Sequence, residues 1–75
     1  MSSLPVVREV PIRDDSIRLG QLVKLAGLVD SGGDARDLLA AGLVRVNGEP
    51  EDRRGRQVRR GDVVSVEGAE EIRVS

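Results

Sequence analysis

The chain contains no histidine, no cysteine and no aromatic residue. Without histidine it lacks the commonest general base and the commonest metal ligand. Without cysteine it has neither a disulfide framework nor a thiol nucleophile. Without Phe, Tyr or Trp it cannot build a nucleic-acid site on aromatic stacking. Long apolar runs are missing too, and nothing approaches the roughly 18 residues of a membrane span. Met1-Ser2-Ser3-Leu4-Pro5 lacks the basic start and apolar stretch of a secretory signal. A cytoplasmic protein with no membrane partner is the expectation. Lysine occurs once, at Lys24, so nearly every positive charge is an arginine.

What is present suits a small folded unit. Hydrophobic residues are 39% of the 75 and charged residues 33%, which sets the chain with globular rather than disordered sequences. One domain over residues 1–75 is expected. A chain this short buries only about 60% of the surface its unfolded form exposes, so the core must be tight. The net charge of −1 hides a split. Residues 36–60 carry seven basic and four acidic groups, and residues 61–75 carry one and four. The middle is thus +3 and the end −3, and the local field decides who binds where.

The spacing of apolar residues predicts an α+β chain. Val6 to Ile12 alternates as a strand, with Pro11 at an edge or at its end. Asp14-Asp15-Ser16 can cap a helix over Ile17 to about Leu28, whose Leu19, Leu22, Val23 and Ala26 share one face. Gln21 and Lys24 fall opposite. Ser31 and Asp34 fit a capping box opening a second helix, which Gly42 stops. The short connection makes the two helices a hairpin. Short strands follow at Leu43–Val46, Arg56–Val58, Val63–Val66 and Glu70–Val74, with turns at Asn47-Gly48, Gly61-Asp62 and Gly68-Ala69. The order is N-terminal strand, two-helix hairpin, then a small, mostly antiparallel sheet.

Catalysis has little to work with. A serine–lysine dyad would have to use Lys24, on an exposed helix face. The adjacent acids Asp14-Asp15, Glu51-Asp52 and Glu70-Glu71 do not face one another in a strand or a helix. No enzyme, cofactor or metal site is expected. Arg53-Arg54-Gly55-Arg56-Gln57-Val58-Arg59-Arg60 is different, with five arginines in eight residues and no acid. The planar guanidinium matches phosphate oxygens. Arg53, Arg54 and Arg56 are candidate phosphate contacts; the bland alternative pairs them with Glu49, Glu51 and Asp52. Gly32-Gly33 is a second candidate, since free N–H groups at a helix start favour an anion. Arg36, one turn on, can close on the same phosphate.

The pieces together resemble the RNA-binding domain named after small-subunit ribosomal protein four, also called the αL motif. The resemblance covers about residues 17–66. It runs through Arg18-Leu19, Ser31, Ala35-Arg36, Gly42-Leu43-Val44-Arg45-Val46-Asn47-Gly48 and Gly61-Asp62-Val63-Val64. Ser-Gly-Gly and an extra N-terminal strand match the small stand-alone bacterial branch. The family binds structured RNA through its two helices and the adjoining loop. The resemblance therefore implies a non-catalytic RNA-binding protein, with ribosomal or transfer RNA as partner. It points to Arg18, Lys24, Gly32, Gly33, Arg36, Arg45 and Asn47, extended by the cluster from Arg53. Gly20 departs from the family, where aspartate often follows arginine-leucine. Gly32 departs where a serine-arginine pair is common. The alternative is a protein-interaction adaptor, for instance toward ribosomal proteins, using the sheet edge of Val6–Val10 or Glu70–Val74.

Overall fold

The computed structural model describes residues 7–68 and 71–75. Val6, Ala69 and Glu70, which the sequence pattern assigns to strands and a turn, lie outside the described residues. In chain order the elements are β1 (Val7–Val10), β2 (Ser16–Arg18), α1 (Leu19–Leu25), α2 (Gly32–Ala40), β3 (Val44–Val46), β4 (Glu49–Pro50), β5 (Gln57–Arg59), β6 (Val63–Val66) and β7 (Glu71–Val74). The fold is α+β. Five strands form one sheet in the order β1-β7-β6-β3-β4, and β2 pairs with β5 in a second, two-stranded sheet. Only the β1–β7 pair is parallel; the other pairs are antiparallel.

The period-two pattern explains which face of the sheet is buried. Val44 and Val46 on β3, Val64 and Val66 on β6, and Ile72 and Val74 on β7 point inward, where Leu19, Leu22, Ala26 and Leu39 from the helices meet them. Side chains between them, such as Arg45 and Arg73, stay exposed on the far face. The core is a single aliphatic layer between helices and sheet. β1 closes one edge, and Pro11 follows it directly. The expectation of a free edge at Glu70–Val74 is corrected. β7 lies between β1 and β6, so its backbone is paired on both sides, and the outer strands of this sheet are β1 and β4.

The start of α1 also differs from the expectation. Asp14-Asp15-Ser16 does not cap it; Ser16 begins β2, and the N-cap is Arg18, which makes no side-chain capping bond. Pairing of β2 with β5 outweighs the local capping preference and draws the chain two residues further in extended form. Both helices pack together as expected. Each closes on a left-handed glycine, Gly27 and Gly42, whose N–H returns to Lys24 and Leu39 respectively. The Arg8 guanidinium donates to the Ala26 carbonyl at the end of α1, where a cation suits the helix dipole. Ser31 caps α2, its Oγ accepting from the Asp34 N–H at 3.2 Å.

Candidate functional site

The floor of the site is α1, and its first turn is completed by a loop distant in sequence. The Leu19 N–H donates to the Arg56 carbonyl at 2.8 Å and the Gly20 N–H to the Arg54 carbonyl at 2.9 Å. These bonds satisfy donors that every helix start leaves open. They also press the loop onto the helix. A Cβ at Gly20 would meet the Arg54 Cγ at 3.0 Å and the Arg54 carbonyl oxygen at 3.4 Å. A side chain at residue 20 would make the Arg54 stem shift, so glycine suits this close approach of the loop to the helix.

Glu51 shapes that loop. It is the one buried charged residue among the described residues. Its Oε2 accepts from the N–H groups of Asp52 at 3.1 Å and Arg53 at 3.2 Å, and from Arg53 Nε at 3.1 Å. Its Oε1 accepts from Arg53 Nη2 at 3.3 Å and Arg56 Nη1 at 3.0 Å. The Arg53 and Arg56 guanidinium groups, then the Arg53 N–H, hold the carboxyl down to about 2, against a usual 4.5. A carboxylate surrounded by donors stays ionised.

Arg54 does not join this network and makes no side-chain hydrogen bond or ion pair among the described residues. It lines a groove with Gly55 on one wall, Arg18, Gly20, Gln21 and Lys24 on the floor, and Gly32 and Ala35 on the other wall. Among the described residues, three cations and no acid line this space. The far wall is the start of α2, where Ser31 takes up the third N–H, and those of Gly32 and Gly33 meet no acceptor among the described residues. A Cβ at Gly32 would meet nothing within 4 Å. Cations opposite a helix start form a cradle for phosphate oxygens.

The structure distributes the expected site residues unevenly. Arg18, Lys24, Gly32 and Arg54 line the groove; Gly33 is exposed beside Gly32 and outside the lining. Arg36 is exposed one turn along α2, outside the groove lining. Arg45 lies on the sheet face turned away from the helices. Arg53 and Arg56 hold Glu51, the pairing that the bland alternative named. Arg60, further along the cluster, donates to the carbonyls of Ile12 and Arg13.

Asn47 has work within the fold. With Gly48 it forms the tight turn between β3 and β4, both residues at positive φ of 52° and 86°. Its Oδ1 accepts from the Val63 N–H at 3.0 Å, and its Nδ2 donates to Asp62 Oδ1 at 3.2 Å. The other oxygen of Asp62 accepts from the Arg59 N–H at 2.9 Å. The asparagine-glycine and glycine-aspartate signatures are therefore two halves of one clasp. Asn47→Ala is expected to cost about 1–3 kcal/mol, since it leaves polar groups unpaired and puts a Cβ-bearing residue without a local bond at positive φ. Urea unfolding measures this. Unchanged RNA affinity of the folded variant fits a clasp; a large drop makes Asn47 a contact.

Gln21, Gly55 and Ala35 were not among the expected site residues, and their groove positions follow from tertiary packing. Glu51 gave a partial signal, an acid two and five residues before arginines, but no sequence pattern shows its burial.

A small α+β unit whose two helices and one arginine loop line a groove with three cations carries the positive charge that suits a nucleic-acid phosphate. The chain belongs to the S4 domain family, which matches residues 10–75, and is an RNA-binding member of the class its motifs resemble. The match reaches beyond residues 17–66 to take in β7 and the end of β1. The chain is 48% identical over 59 residues to the probable ribosome maturation protein RlbA of Bacillus subtilis (strain 168), covering 79% of this chain and 83% of that protein. A solved structure, the 30S ribosomal protein S4e from Thermoplasma acidophilum, matches with a TM-score of 0.56 and 28% identity over 75% of this chain. This chain spans 30% of that protein's length.

Proposed function

We propose that the protein binds structured RNA at the ribosome, in the cytoplasm, without catalysing a reaction. The groove that faces phosphate with Arg18, Lys24 and Arg54, and with no acid in its lining, carries this reading. Arg18, Lys24 and Arg54 hold backbone phosphates, and the N–H groups of Gly32 and Gly33 receive one more. Arg36, exposed one turn further along α2, extends the contact. Paired or folded RNA suits the site better than an extended strand, because no aromatic ring is available to stack bases. Ribosomal RNA is favoured over transfer RNA by the names of the relatives, one a probable ribosome maturation protein and one a ribosomal protein.

The missing aromatic residues make a direct test. The pure protein has almost no absorbance where nucleic-acid bases absorb strongly. Protein isolated gently at low salt is expected to carry a base-type absorbance peak. High salt should remove it, as counterions replace the phosphate contacts. Ribonuclease should remove it and deoxyribonuclease should not. A featureless spectrum at low salt sinks the RNA reading and favours an adaptor that uses the open side of β1.

A further inference from the structure

We infer that Glu51 is a positioning residue for RNA binding: its buried carboxylate ties down Arg53 and Arg56 so that the loop presents Arg54 to the groove. The inference rests on the RNA-binding reading above and assigns unequal roles within the arginine cluster. Three observations carry it. Five hydrogen bonds from residues 52, 53 and 56 converge on this one carboxylate. The loop so formed sends the Arg54 and Arg56 carbonyls to the first two N–H groups of α1. The Arg54 stem lies against Gly20, with no space for a Cβ between them without a shift, and its guanidinium group has no partner within the described chain.

The sign of the effect separates positioning from simple electrostatics. An acid inside a basic loop repels phosphate, so on charge alone its removal strengthens RNA binding. If Glu51 acts through Arg54, its removal weakens binding although the protein becomes more positive. Arg53 and Arg56 are freed by the change, yet the loop that aims Arg54 loses its anchor. Misplacing the Arg54 guanidinium in this way costs about tenfold in affinity, the scale of one charge-assisted hydrogen bond.

The test uses the full chain and a fully paired hairpin RNA, titrated over a range of salt, with circular dichroism as the fold check. Glu51→Gln is expected to bind about tenfold more weakly, with a salt slope lower by a little under one unit. Glu51→Asp keeps the charge and can still accept the nearby Asp52 and Arg53 N–H groups, but its shorter arm cannot reach both guanidinium groups. It should fold and lose several-fold in affinity with no change in net charge. In an Arg54→Ala background, Glu51→Gln should add little further loss. Wild-type affinity or tighter binding in both Glu51 variants overturns the positioning role alone. So does a Glu51→Gln loss that adds in full to that of Arg54→Ala. If Glu51→Gln fails to fold, Glu51→Asp decides the matter. Failure of the wild-type protein to bind the hairpin at low salt overturns the RNA reading itself, and this role with it.

Discussion

Replacing Arg18, Lys24 and Arg54 together with alanine is expected to abolish RNA binding at moderate salt while leaving the fold intact. All three side chains line the groove, and none makes a hydrogen bond or ion pair within the described residues. Their loss therefore leaves no buried charge unpaired. Each phosphate contact is worth about 1–1.5 kcal/mol net, so three amount to roughly 3–4.5 kcal/mol, or about a hundred- to a thousandfold in affinity. The salt dependence is the sharper readout. Each phosphate no longer neutralised lowers the log–log slope by a little under one unit, so the triple variant should lose about two units or more. The loss should be similar for different RNA sequences, because phosphate contacts position without reading bases. Arg45→Ala is the contrast within the same protein, on the sheet face away from the groove; it should lower affinity far less. A triple variant with wild-type affinity and slope would move the site elsewhere.

Leu22→Ala is the largest effect expected on stability. Leu22 is fully buried on α1, between the helices and the sheet. Its truncation removes apolar packing and leaves a cavity, at about 2–5 kcal/mol. A 75-residue domain has roughly 4–11 kcal/mol in total at ~0.05–0.15 kcal/mol per residue. The melting temperature should fall by roughly 8–40 °C, at about 4–8 °C per kcal/mol for a domain of this size. Leu25, three residues on, is 57% exposed. Leu25→Ala should change stability by no more than about 0.5 kcal/mol. Two leucines in one turn thus test the orientation of α1. Equal melting temperatures for the two variants would mean that α1 is rotated or not packed on the sheet. The same helix is the floor of the groove, so Leu22→Ala should also bind RNA poorly at temperatures where it is partly unfolded.

Local order in this protein reads well from local sequence. The helical face of Leu19, Leu22, Val23 and Ala26 is buried as its spacing requires. Ser31 caps α2, Gly42 follows its end, and Asn47-Gly48 turns the chain between β3 and β4. Each of these depends on residues within one or two turns of one another. Local pattern misleads where a distant partner competes with a local preference. Asp14-Asp15-Ser16 has the chemistry of a helix cap, yet β5 draws Ser16, Ile17 and Arg18 into a sheet and the loop beyond Glu51 supplies carbonyls to the helix start instead. The alternation of the last strand shows which face is buried but not its neighbours, and β1 pairs along the side expected to be free.

The α+β order, the aliphatic core, the family motifs and the excess of arginine over lysine are all legible along the chain. Alternation, capping groups and composition express these directly, because they act within a few residues or by simple count. Which arginine side chains already hold a partner within the fold is set by tertiary contacts. Arg53, Arg54 and Arg56 are neighbours in the chain and alike in chemistry. One buried carboxylate takes two of them, and a backbone contact at Gly20 places the third over the groove. Burial and close approach are properties of three-dimensional neighbours, and a charge pattern along the chain does not contain them.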